Sequence, residues 1–161
     1  MSDEISRTTG SGAAMNTWTT EYRRDIAAPP QRIWQIFTDV EGWKTWNAGI
    51  ESIAIDGPFA TGTWFTMKPP GQEALHSCLI EVRENECFVD QTRVDDLEVV
   101  VTHRIERLSS TTSRVSYAVE ATGPAAAEVG PMVSADFPDV LAALARVAES
   151  TDASTRAYHT R

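Results

Sequence analysis

The chain has 161 residues, 42% of them hydrophobic and 23% charged, with a formal net charge of −9. That length suits one domain with a sizeable core, and 23 Asp and Glu against 14 Lys and Arg oppose docking on nucleic-acid phosphates or anionic lipid headgroups. No apolar run approaches the roughly 18 residues of a membrane span, and the polar start MSDEISRTTGSGAAMN lacks the basic-then-apolar order of a secretory leader, so the expectation is a soluble, cytoplasmic protein.

Residues 1–15 mix Ser, Thr, Gly and charge without period, and residues 150–161 mix Ser, Thr, Ala and charge in the same way. Such composition buries too little apolar surface to offset ordering entropy, so both ends are expected to be disordered, flanking a domain over 16–149. The first element is a strand near 18–26, with Trp18, Tyr22 and Ile26 on one face and Thr19, Glu21, Arg23 and Asp25 between them. Pro29 and Pro30 then open a helix, where a missing N–H costs nothing. Ile33, Ile36, Phe37 and Val40 form its buried stripe. Gly42 ends it, and a second short helix carries Trp43 and Trp46 on one side.

From residue 50 the pattern is that of strands, near 50–56, 62–68, 74–83, 86–93, 97–107 and 112–122. Short connections such as Asp56-Gly57-Pro58, Pro69-Pro70-Gly71, Glu84-Asn85 and Asp95-Asp96 carry turn chemistry, which predicts an antiparallel meander. Gly123-Pro124 closes the last strand. A long helix follows over roughly 125–149, with Val133, Phe137, Val140, Leu141, Leu144 and Ala148 on one apolar face. Pro131 is a candidate for its true start, and Pro138 for a kink. The order is strand, two short helices, six strands, long helix: an α+β domain in which one helix covers a curved sheet.

Strand alternation orients the side chains. Val99, Val101, His103 and Ile105 should face inward, opposite Arg104 and Glu106, as should Val115, Tyr117, Val119 and Ala121. Phe65 and Met67 are the inward pair of their strand. Ile80 and Val82 are expected inside, carrying His76 and Cys78 with them. The 86–93 strand has two orientations. A two-residue turn at Glu84-Asn85 puts Cys87, Val89 and Gln91 inside, and a three-residue loop puts Phe88, Asp90 and Thr92 there. Cys78 should lie level with residue 90 or 91, too far from Cys87 for a disulfide. His76, His103 and His159 are too scattered for a zinc centre, and no phosphate loop or serine or cysteine nucleophile constellation is present. No metal or other cofactor is expected.

Taken together, Ala27-Ala28-Pro29-Pro30-Gln31-Arg32-Ile33-Trp34, Thr38-Asp39-Val40-Glu41-Gly42-Trp43 with Trp46-Asn47, Gly57-Pro58-Phe59 with Gly62-Thr63, and Gly123-Pro124 ahead of Pro138 and an alanine-rich helix resemble the START-like or Bet v 1-like (SRPBCC) superfamily. Within it the chain looks most like the polyketide cyclase/dehydrase and lipid-transport group. The resemblance implies a helix-grip fold: a curved antiparallel sheet of about seven strands around a long C-terminal helix, with two short helices after the first strand. It also implies a cavity between sheet and helix for a small hydrophobic or polyketide-like ligand.

The side chains placed against that ligand are Phe65, Met67, His76, Ile80, Val101, His103, Tyr117, Phe137 and Leu141. His103 has three readings: a hydrogen-bonded core histidine, a ligand contact, or the general acid/base of a polyketide cyclase or aromatase. A third class, a co-chaperone-like interaction module, predicts a large exposed apolar patch instead. Carrier and enzyme stay open at the level of sequence.

Overall fold

In the computed structural model, the backbone is described for residues 16–159 and the side chains for 16–150. In chain order the elements are β1 (Thr17–Ile26), α1 (Pro30–Thr38), a 3₁₀ helix (Val40–Thr45), β2 (Ser52–Ile55), β3 (Trp64–Lys68), β4 (Leu75–Arg83), β5 (Cys87–Val94), β6 (Leu97–Arg107), β7 (Ser113–Thr122), α2 (Ala126–Ser134) and α3 (Phe137–His159). All seven strands form one antiparallel sheet in the order β1-β7-β6-β5-β4-β3-β2. From β2 to β7 the chain meanders, and β1 closes the sheet by pairing with β7 along its whole length, Thr17 opposite Thr122 and Ile26 opposite Ser113. This is the helix-grip architecture. No helix among the described residues is long and apolar enough to cross a membrane.

The long helix departs from expectation in two places. It is two helices, broken at residues 135–136, with Pro131 inside α2 and not at its start. Pro138 is the second residue of α3, where an amide N–H would have had no intrahelical acceptor, and Asp136 O already accepts the Val140 N–H at 2.9 Å. Pro138 therefore opens a second helix where a single kinked one was expected, and Pro131 leaves α2 unbroken. At its far end α3 runs past Glu149 to His159. The polar composition that suggested a tail from residue 150 contains no Gly or Pro, so nothing local stops the helix. Residues 1–15, expected to be disordered, lie outside the described residues.

A bulge corrects the orientation of β4. Its register against β5 shifts between Leu79 and Glu81, which adds a residue to one strand and reverses the alternation. Ser77 and Leu79 are buried on the inner face, Val82 returns to it beyond the bulge, and His76 and Ile80 are exposed. Counting back from Val82 in steps of two had carried His76, Cys78 and Ile80 to the wrong side.

The β4–β5 connection is the three-residue loop 84–86, with Asn85 in the left-handed region at φ 65°, a conformation Asn tolerates better than most residues. Phe88, Asp90 and Thr92 therefore point inward. Cys78 lies opposite Gln91 and Cys87 opposite Arg83, and both thiols are free.

Two apolar clusters fill the space between sheet and helices. The larger gathers Ile33, Phe37, Trp43, Phe65, Phe88, Tyr117, Leu141 and Leu144. Burying an aliphatic side chain such as Leu141 or Leu144 stabilises the fold by about 1.5–3 kcal/mol. The smaller joins Val99, Val101, Val119, Ala121 and Ala126, with Trp18 and Val133 against it. Here α2 approaches so closely that any Cβ at Gly130 would collide with the Trp18 ring. The other end of the bundle is clamped by polar bonds. The Ala27 N–H donates to Glu149 Oε2 at 2.9 Å, and Ser113 Oγ donates to Ala28 O at 2.7 Å.

Candidate functional site

The inner face of β5, β6 and β7 brings three ionisable side chains together. Register places Phe88 opposite His103 and His103 opposite Tyr117, with Asp90 one inward position along β5, opposite Val101. Asp90 Oδ2 lies 3.8 Å from His103 Nδ1, with the two side chains only 14% and 11% exposed. His103 Nδ1 is also 3.3 Å from Phe88 O. A carbonyl can only accept, so this hydrogen bond requires the proton on Nδ1 and leaves a bare lone pair on Nε2 in the neutral ring.

Aromatic rings wall the group. Phe88 stacks on the His103 imidazole with centroids 3.9 Å apart and planes 8° from parallel. The edge of Tyr117 meets the same imidazole at 4.5 Å, and Phe37 stands 6.2 Å from it. Trp43 stacks with Phe88 at 5.7 Å and anchors its own Nε1–H on Phe37 O at 2.9 Å. Half-buried rings edge this cluster: Phe59, against Phe88, Trp34 and Trp43, and Phe137, against Tyr117 and the half-buried Tyr22.

Removal from water sets the charge state, because burial disfavours whichever form is charged. It pushes the Asp90 carboxyl up to about 7. It pulls His103 down to about 3, against the opposing influence of the Phe88 carbonyl. Burial also raises the Tyr117 phenol above its ordinary value, with the nearby Asp90 charge adding to the shift. Near neutral pH the site thus holds a neutral imidazole, a neutral phenol and a carboxyl able to gain or lose a proton. Among the described residues, no protein hydrogen bond reaches the Asp90 carboxyl, His103 Nε2 or the Tyr117 hydroxyl.

Of the residues placed against a ligand by sequence, Val101, His103, Tyr117 and Leu141 are buried on the interior, as is Phe65. Met67 and Phe137 are half-buried and packed on the larger cluster. His76 and Ile80 are not part of the site: His76 is exposed beside Thr66 Oγ1 at 3.1 Å, and Ile80 is exposed beyond the bulge. Asp90 joins the site as the alternation of the three-residue loop requires. The signal for that loop is Asn85, a residue suited to its left-handed position.

Between sheet and helices, where the cavity is expected, the rings of Phe37, Phe88, His103 and Tyr117 pack against one another. Two depressions, of about 350 and 320 Å³, lie elsewhere. One is on the outer sheet face around Thr102 and Ala118, and the other is among α1, the 3₁₀ helix and α3 near Ile36 and Trp46. Neither is lined by Asp90, His103 or Tyr117. No group of three or more metal-ligating side chains occurs among the described residues.

A family model described as polyketide cyclase / dehydrase and lipid transport matches residues 17–149. No curated protein sequence matches the chain. Among solved structures, a point mutant of norcoclaurine synthase from Thalictrum flavum is similar with a TM-score of 0.72 at 13% identity, covering 86% of this chain and 98% of that one. The Zhui aromatase/cyclase from Streptomyces sp. R1128 also gives 0.72 at 13% identity, with 83% and 94% covered. A START superfamily protein from Mycobacterium smegmatis gives 0.67 at 16%, with 83% and 98% covered. At such identities the likeness is one of fold.

Proposed function

The chain belongs to the polyketide cyclase / dehydrase and lipid transport family, and from that premise we propose that it binds a small, largely apolar molecule at the inner face of β5–β7. Asp90, His103 and Tyr117 are the polar contacts. The observation that carries this reading is the set of polar groups on the aromatic-walled inner face whose free edges no protein group satisfies. Buried polar groups are normally hydrogen-bonded, and a carboxyl, a bare ring nitrogen and a phenol within one aromatic-walled region form the polar minority typical of an apolar ligand site. Entry requires a ring to move. Phe137 is the candidate, since it is half-buried over Tyr117 and stands at the break between α2 and α3.

A second reading, aldol-type cyclisation of a polyketide-like substrate, is favoured by the Asp90 carboxyl at about 7. A proton-transfer group works best when its pKa lies near the operating pH. His103, held near 3, is a weak base. In this reading Asp90 takes the C–H proton from between two carbonyls, and the carbanion attacks a further carbonyl carbon along the folded chain, forming the ring C–C bond. The resulting alkoxide is then protonated by the carboxylic acid, while His103 and Tyr117 position the oxygens. The catalytic role expected of His103 thereby passes to Asp90.

Titrating ¹⁵N-labelled protein with a small set of apolar aromatic compounds tests the binding site. The expected shifts centre on Asp90, His103 and Tyr117 and grow in Phe137→Ala. Shifts confined to the two surface depressions, or none at all, would sink the proposal. With a linear polyketide precursor, Asp90→Asn should abolish turnover while His103→Gln weakens it; the reverse order would return the proton to His103.

A further inference from the structure

The interior site has a definite charge character, set by what it lacks as much as by what it holds. Its polar atoms are a carboxyl, an imidazole nitrogen with a free lone pair and a phenol, so its fixed hydrogen-bonding capacity is weighted towards acceptance. No Lys or Arg is buried among the described residues. On the inner face the cations are Arg24 and Arg107, opposite Val115 and Ser113, and both are exposed. The whole chain carries −9, which repels anionic ligands at a distance as well. Beside the Asp90 carboxyl the rings of Phe88, Trp43, Phe37 and Tyr117 pack against one another and against His103. Aromatic faces attract cations and offer nothing to anions.

We infer that the ligand is a cationic one: a small apolar or aromatic amine, bound as its ammonium against the Asp90 carboxylate. The inference rests on the interior binding site proposed above and names the class of molecule that the site selects. An ammonium resolves the main electrostatic cost of the site, a carboxylate that burial alone would keep protonated, by supplying the missing counter-charge and a charge-assisted hydrogen bond. An organic acid would place a second negative charge beside the first. A neutral alcohol would fill the apolar space and satisfy one hydrogen bond without the charge.

The titratable groups that face Asp90 are His103 on β6 and Tyr117 on β7. Its partner on β4 is Leu79, and the helices bring uncharged rings, Phe37 from α1 and Phe137 from α3.

The test is a matched set of probes of one shape: 3-phenylpropylamine, 3-phenylpropan-1-ol and 3-phenylpropanoate, titrated calorimetrically into the full chain. At about pH 8 the amine should bind about tenfold more tightly than the alcohol, and the acid least. Lowering the pH to about 6 leaves such an amine protonated but protonates Asp90, so the advantage should shrink. Asp90→Asn, which keeps the shape, should remove the amine's advantage over the alcohol. An alcohol equal to or tighter than the amine, or an advantage that survives in Asp90→Asn, overturns the cationic class while the binding site stands. Failure of all three probes to bind removes the site and this inference together.

Discussion

Two aspartates in one sheet show what burial does to a charged pair. Asp25 on β1 faces Arg114 on β7 across the register, and the guanidinium grips it with two bonds, at 2.8 and 3.3 Å. Asp90 on β5 sits 3.8 Å from His103 on β6. Asp25 lies at an exposed rim, and its hydrogen bonds to Arg114 hold its carboxyl below the ordinary range. Asp90 lies among rings, where burial drives its carboxyl up to about 7. The first is an ion pair in water, of little consequence for stability. The second is a pair held neutral by desolvation, free to change charge near neutral pH. Access to water decides which chemistry each pair can do.

The most forceful way to break this contrast is to remove the wall. Phe88 is 2% exposed and stacks on His103 at 3.9 Å while touching Phe37, Trp43 and Phe59. Phe88→Ala should cost about 3–5 kcal/mol in urea unfolding, the usual toll of a deleted core ring and its cavity. In any fraction that stays folded, the Asp90 carboxyl should fall towards ordinary values as water reaches it. A loss below about 1 kcal/mol would mean that the cluster is not the tightly packed unit the ring contacts describe. Trp64→Ala, on the exposed outer face, is the control, expected within about 0.5 kcal/mol of the parent.

The pH dependence of stability sharpens the comparison. Asp90 keeps its proton in the folded chain up to about 7, against an ordinary value of 3.8. Between those values the native state binds more protons than the unfolded one, and this residue makes stability fall as pH rises. His103 does the opposite. Its folded value is about 3 against 6.5, so the unfolded state binds more protons in that window and stability rises with pH. Each slope is about 1.4 kcal/mol per pH unit, and over most of the shared window they cancel. Asp90→Asn should unmask the His103 rise, and His103→Gln the Asp90 fall, each reaching at most roughly 4–5 kcal/mol across its window. The measurement is urea unfolding from about pH 3 to 8. If the difference curves are flat, the pair is not buried as described.

The sequence carried most of the fold and about half of this site, for physical reasons that differ by element. On β6 and β7, alternation runs unbroken, so Val101, His103 and Tyr117 were oriented correctly from period alone. On β4 one extra residue between Leu79 and Glu81 inverted His76 and Ile80. A bulge is set by pairing with neighbours, here the Thr61–Thr63 segment that bonds to Leu79 and Val82, and it leaves no mark in local hydrophobicity. Asp90 depended on a loop of two residues or three, which only Asn85 hinted at. The break between α2 and α3 was foreshadowed by Pro138, whose missing N–H cannot continue the α2 ladder. The closed ring cluster was not legible at all: inward-facing aromatics read the same whether they line a cavity or fill it.

The smallest effect belongs to the rim, and its smallness is the point. A carboxyl with a depressed folded value contributes stability above its unfolded pKa and loses it as pH falls through the folded one. Asp25→Asn should therefore lower the urea midpoint slightly at neutral pH and low ionic strength. The difference from the parent should fade under two conditions, acidification and added salt, because an exposed pair is screened. The interior pair should ignore salt, since counter-ions do not reach it. If salt instead moves the Asp90→Asn difference and leaves the Asp25→Asn difference untouched, water and ions enter the sheet–helix interior of the resting protein. The aromatic cluster is then an opening, and the distinction between the two aspartates is one of geometry alone.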